Sequence, residues 1–83
     1  METQQLVVPI GKVIPDHEPS SWHIRKMADV LKKQGQIEPL QVYLDGNLYK
    51  TYGQDAWGAE IVQAALSLHW DTLLILITPR YLQ

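Results

Sequence analysis

The chain contains no cysteine and no phenylalanine. The first absence excludes disulfides, thiolate metal sites and cysteine nucleophiles together, and it suits a reducing compartment. Long apolar runs are missing too. The longest, Leu73 to Ile77, falls far short of the ~20 residues a membrane-spanning helix needs. The opening METQQLVVPIGK lacks both the basic start and the apolar run of a secretory signal. The expectation is a soluble, cytoplasmic protein. Basic surplus is also lacking: seven Lys and Arg face nine Asp and Glu, a net charge of −2, whereas nucleic-acid-binding domains usually carry a positive excess or a basic stripe. Neither a Walker motif nor G-x-G-x-x-G occurs, so the usual glycine-rich phosphate cradles are absent.

What is present is a globular pattern. The chain has 83 residues and is 46% apolar, which fits one modest domain spanning 1–83. Leu6 to Ile14 is apolar and β-branched but broken by Pro9 and Gly11, so it reads as a strand, a kink and a second extended piece. Pro15 to Pro19 is a loop. Ser20 or Ser21 can cap a helix, on which Ile24, Met27, Ala28 and Leu31 share one face. Gly35 ends it as a left-handed C-cap. Leu40, Val42 and Leu44 alternate with Gln41 and Tyr43 in a half-buried strand. Asp45-Gly46-Asn47 turns the chain into a partner strand, Leu48 to Tyr52. A second helix runs from about Asp55 to about Leu68, its buried face formed by Trp57, Ile61, Ala64, Ala65 and Leu68. The continuously apolar segment between Asp71 and Thr78 reads as a central strand, and Pro79 ends it. The predicted class is α/β (α+β): a small mixed sheet with two packed helices.

These segments, in this order, resemble the N-terminal domain of the ParB family, which shares its fold with sulfiredoxin. The opening VVPIGKVIPD is similar to the family's first strand. Gly35-Gln36-Ile37-Glu38-Pro39-Leu40 and Val42 match its x-G-x-x-x-P-[IL]-x-V segment, and Asp45 to Gly53 match the hairpin that follows. Gly53 and Ala59 stand at the two ends of its G-E-R-R-x-x-A box. The resemblance covers about residues 7–78. It implies a nucleotide-phosphate site at the start of the second helix, where backbone N–H groups and the helix dipole attract anions. Here that box is degenerate. Gln54 replaces the glutamate, and Asp55 and Ala56 replace the two arginines. Gly53, Gln54, Asp55, Ala56 and Ala59 are therefore read as the remnant of a nucleotide site, with Asp55 free to cap the helix itself. The family's glutamine-proline-arginine stretch is missing; His17-Glu18-Pro19-Ser20-Ser21 stands in its place. Sulfiredoxin chemistry needs a cysteine that this chain lacks.

Other constellations are sparse. The histidines are His17, His23 and His69; Asp16, His17 and Glu18 are adjacent and diverge in a loop, and His69 sits at a helix end, so neither a zinc nor a magnesium site is expected. Ser20 and Ser21 lie near His23, but serine at a helix start is a cap far more often than a nucleophile. No catalytic residues are assigned. Trp57 beside the box could stack on a base, although a core position is expected. Arg25, Lys26, Lys32 and Lys33 face only Asp29 along one helix, and Lys12 and Lys50 could extend that patch. Trp22, Tyr43, Tyr49 and Tyr81 are candidates for exposure, with Tyr43 and Tyr49 facing each other across the hairpin, a surface suited to a homodimer.

Three functions from different classes follow. The leading one is a stand-alone, non-catalytic ParB-like binding module that contacts DNA weakly through phosphates, or a protein partner, in a regulatory or accessory role, without a cofactor. The second is a nucleotide-binding, nucleotide-hydrolysing or nuclease-type enzyme that uses nucleotide and magnesium. The third is a module for protein interaction alone, which the acidic balance and the Trp/Tyr set favour over DNA.

Overall fold

The computed structural model describes residues 4–36, 38–52 and 57–78. Five strands and two helices follow one another as β1 (Gln4–Pro9), a 3-10 turn (Ile10–Lys12), β2 (Val13–Ile14), α1 (Ser21–Gln34), β3 (Leu40–Asp45), β4 (Leu48–Thr51), α2 (Gly58–Ser67) and β5 (Thr72–Ile77). The strands form one mixed sheet in the order β1-β5-β3-β4-β2. β5 lies between an antiparallel β1 and a parallel β3, the flanked position that its unbroken apolar run predicts. The break at Pro9 and Gly11 is the 3-10 turn, which carries the chain from one edge of the sheet to the other.

Both helices pack on one face of the sheet and on each other. Leu31 from α1 and Val62, Ala64 and Ala65 from α2 join Val8, Val13, Leu40, Val42, Leu73 and Ile75 in a single core. Strand alternation sends Val7, Gln41, Tyr43, Lys50, Leu74 and Leu76 to the far face, away from the helices. Ser20 caps α1, its hydroxyl accepting from the His23 N–H. Gly35 ends it at φ 72°, ψ −170°. The positive φ is the glycine signature expected there, but this ψ lies outside the left-handed helical region. At the end of α2, the Trp70 N–H donates to the Ala65 carbonyl and the His69 N–H to that of Leu66. This is a Schellman cap with His69, at φ 62°, in the position glycine usually takes.

Several local expectations are corrected. α2 begins at Gly58, with Trp57 as its N-cap residue. Trp57 therefore lies outside the helical phase that would have turned it inward, and it is 44% exposed. Ala64 and Ala65 are buried as expected, and Ile61 and Leu68 are half-buried; Ala59 and Val62 complete the inner face. Leu44 is 55% exposed, although alternation sets it on the same face as Val42. In the hairpin, positive φ is taken by Gly46 and not by Asn47, the pattern of a type II′ turn. That turn pairs Asp45 with Leu48, hence Tyr43 with Lys50 and Leu44 with Tyr49. A one-residue offset of register exchanges the faces. Tyr43 and Tyr49 thus lie on opposite sides of the sheet: Tyr49 packs against the core, while the Tyr43 ring meets that of Tyr52 at 5.1 Å. The shared Tyr43/Tyr49 surface proposed for a homodimer does not form.

Candidate functional site

The strongest concentration of polar chemistry lies where the β2–α1 loop, the end of β4 and the first turn of α2 meet. Thr51 is the last residue of β4 and is buried. Its hydroxyl donates to Asp16 Oδ1 at 2.5 Å and accepts from the Asp16 backbone N–H at 2.9 Å. Asp16 Oδ2 then faces His17 Nδ1 at 3.2 Å, and His17 Nε2 faces Glu60 Oε2 at 3.9 Å. Burial pushes the Asp16 carboxyl up, but hydrogen bonds from Thr51, His17 and its own backbone N–H, together with the charge of His17, outweigh burial and hold it below the ordinary carboxylate value. Glu60 is the third residue of α2, where a carboxylate is favoured by the helix dipole. Its side chain is 9% exposed, and its Oε1 is buried with no hydrogen-bond partner among the described residues.

Beside this cluster is an aromatic one. Trp22 is 56% exposed. Its ring meets that of His23 edge-on at 5.0 Å, and His23 meets Trp57 at 6.2 Å. The Lys26 ammonium sits 4.9 Å from the centre of the Trp22 ring, a cation–π contact. Ser20 Oγ lies 2.6 Å from His23 Nδ1, so the capping serine bonds both the backbone N–H and the ring of His23. Among the described residues no third group orients His23 as a base, and the pair is accounted for as a cap. No group of three His, Asp or Glu among the described residues converges as a metal site requires.

The basic residues divide between the two layers. Arg25, Lys26, Lys32 and Lys33 are exposed along α1, with Lys33 paired to Asp29 at 3.7 Å. Lys12 is exposed in the 3-10 turn. Lys50 does not extend that patch: it lies on the opposite sheet face, 3.1 Å from Asp45. Of the nucleotide remnant, Ala59 is buried in the core layer, whereas Gly53, Gln54, Asp55 and Ala56 lie outside the described residues, as do Ile37, Pro79 and Tyr81. A further open concavity of about 470 Å³ at the other end of α2 is lined by Val7, Gln36, His69, Trp70, Asp71, Thr72 and Leu74. The Gln36 amide there is already engaged, donating to the Leu74 carbonyl at 2.7 Å and accepting from its N–H at 2.9 Å.

No protein-family profile matches this chain, and no curated protein does. Solved structures do. A crystal structure of sulfiredoxin from Arabidopsis thaliana superposes with a TM-score of 0.71 at 15% identity, over 90% of this chain and 84% of that one. The C-terminally truncated chromosome-partitioning protein ParB from Caulobacter crescentus, complexed with CTP-γ-S, gives 0.71 at 13% identity, over 90% of this chain and 44% of that one. The fold is ParB/sulfiredoxin-like. At these identities the likeness concerns architecture, and this chain spans less than half of the ParB chain it matches. Sequence reasoning missed two features of this ParB/sulfiredoxin-like domain. Glu60 was passed over because one acid in an amphipathic helix reads as a solvated face. Asp16 and His17 were weighed with Glu18, their sequence neighbour, and not with Thr51 and Glu60, which come to them through the fold.

Proposed function

We propose that this chain is a non-catalytic binding module that engages a protein partner, in a regulatory or accessory role, through the end of the domain where both helices begin. One observation carries the reading: Trp22 and Trp57 are both about half exposed and are joined through His23 into one aromatic patch. Tryptophan is a preferred anchor of protein interfaces because it removes much apolar area from water and keeps a donor for the rim. The net charge of −2 favours a protein over a polyanion. The ParB neighbour holds a nucleotide analogue, but the equivalent box here carries Asp55 and Ala56 in place of arginines. A triphosphate would meet a carboxylate there, so neither nucleotide nor magnesium is needed in this reading. The absence of cysteine suits a cytoplasmic setting.

DNA is the second reading, favoured by Arg25, Lys26, Lys32 and Lys33 along α1. Four such contacts would give a log–log salt slope near −3.6 at most, from about −0.9 per phosphate. Salt therefore separates the two. Capture experiments at low and high salt, with the Trp22→Ala/Trp57→Ala variant as control, test the first. A partner retained at high salt by the parent and lost by the variant supports it. Binding to duplex DNA that weakens with the slope above and is indifferent to the tryptophans replaces it with the DNA reading.

A further inference from the structure

Glu60 is an anomaly for a small domain. A carboxylate withdrawn from water is normally paired and fully hydrogen-bonded, yet among the described residues Glu60 Oε1 is buried without a partner and its Oε2 meets only the imidazole of His17, at 3.9 Å. Asp16 stands on the other side of the same imidazole, at 3.2 Å. Two carboxylates thus flank one half-exposed histidine ring, and among the described residues no lysine or arginine lies within ion-pair distance of either. Trp57, the N-cap residue of α2, precedes Glu60 by three residues.

We infer that this cluster is a receptor for a guanidinium group, an arginine side chain presented by the partner, with His17 standing in for it in the unbound protein. Swinging the His17 ring outward, toward the solvent it already half faces, opens the gap between Asp16 and Glu60. A guanidinium is planar, carries five donors in a fixed fork and stays charged when desolvated, so it can bridge two carboxylates at once. An ammonium is a compact, strongly hydrated point charge and bridges them less well. A metal ion is disfavoured because the acids and the imidazole do not converge on one point. The inference deepens the protein-partner reading and rests on it for the source of the arginine; the site itself is tested with a small probe.

The test is an NMR titration of the intact domain with N-acetyl-arginine methylamide, and with the lysine analogue at matched ionic strength, following the His17 ring and the Trp57 indole N–H. Saturable shifts are expected with the arginine probe, with a Kd of a few mM, on the order of the ~4 kcal/mol of a weak single contact, and at least about fivefold weaker binding of the lysine probe. Glu60→Gln and Asp16→Asn are each expected to weaken the arginine probe about tenfold, and Lys32→Ala to leave it unchanged. Glu60→Gln removes a buried charge, so its melting temperature is expected to be no lower than the parent's. Shifts that never saturate, equal affinity for the two probes, or undiminished binding by folded Glu60→Gln and Asp16→Asn would each overturn the inference. If the probe fails while salt-resistant, tryptophan-dependent capture persists, the guanidinium site falls and the protein-partner reading stands.

Discussion

Gln36 offers a sharp test of how the sheet is held. β5 runs parallel to β3 from Ile75 onward, but Leu74 lies one residue before that ladder starts, opposite the turn that leads to Pro39. Proline has no N–H to give, and the Gln36 side chain fills the gap. Its amide meets both the N–H and the carbonyl of Leu74, in the manner of a strand residue, and also donates to the Glu38 carbonyl at 3.2 Å. Gln36→Ala removes these contacts and leaves two backbone groups of a half-buried residue without protein partners. Each net hydrogen bond contributes about 0.5–1.5 kcal/mol, and an unsatisfied group costs about 1–3. Partial access to water places the expected loss near 2 kcal/mol, or roughly 8–16 °C in Tm for a domain of this size. Gln36→Glu is more informative. It keeps the acceptor for the Leu74 N–H but points a carboxylate oxygen at two carbonyls, so it is expected to cost more than alanine at pH 7. The charged form is disfavoured in the fold, so the glutamate titrates above its unfolded value of about 4.3. Protonation restores a donor, and the deficit against the parent is expected to shrink as pH falls toward 4. Urea melts followed by tryptophan fluorescence, at several pH values, give both numbers. A loss under about 0.5 kcal/mol for Gln36→Ala, or a Gln36→Glu deficit constant with pH, would refute the account.

Further outcomes follow from the same structure. Thr51→Val deletes the hydroxyl that donates to Asp16, and because Asp16 is held below its ordinary value of 3.8, its stabilising effect is full above that value and lost as pH falls through the folded one. The stability gap between parent and variant, measured by urea melts, is therefore expected to be larger at pH 7 than at pH 3. His69→Gly relieves a non-glycine residue at positive φ, a cost of about 1–2 kcal/mol partly offset by glycine's entropy in the unfolded chain; a net gain of about 0.5–1 kcal/mol in a thermal melt is expected, and a loss would mean that the imidazole makes a contact of its own. Ile75→Ala, fully inside the core, is expected to cost about 2–5 kcal/mol, and Trp57→Ala much less, the reverse of the order a buried Trp57 would give. Replacing Asp55 and Ala56 with arginine is expected to confer CTP or ATP binding, seen as saturable amide shifts at Trp57 to Ala59, if only side chains separate this box from a phosphate site; an inert variant would mean that the backbone shape differs too.

Much of the architecture was legible because it rests on short-range rules. Ser20, Gly35 and the Asp45-Gly46-Asn47 turn act through their own backbone neighbours, and β5 announces its flanked position by having no polar face. Misreadings arose where a small shift in boundary or register decides a side chain's fate. Starting α2 at Gly58 rather than near Asp55 removes Trp57 from the core, and the type II′ turn sets Tyr43 opposite Lys50 instead of Tyr49. The candidate site was least visible. Asp16, Thr51 and Glu60 are distant in sequence and meet only when the sheet and helices close, and no local pattern marks an acid whose partner comes from another element.

The placement of β5 between β1 and β3 also governs how the chain assembles. The β1–β5 register joins Gln4 to Ile77 and Pro9 to Thr72, so β1 finds its neighbour only when β5, more than sixty residues later, has been synthesised. The β3–β4 hairpin and the helices can form locally, but the sheet has no route to β1 except through β5. Contacts of such wide sequence separation slow folding, because loop closure precedes any gain from pairing. On the ribosome, β1 must therefore wait with both edges unpaired until β5 clears the exit tunnel. A chain truncated before Thr72 is expected to leave β1 without a partner and to aggregate through those edges.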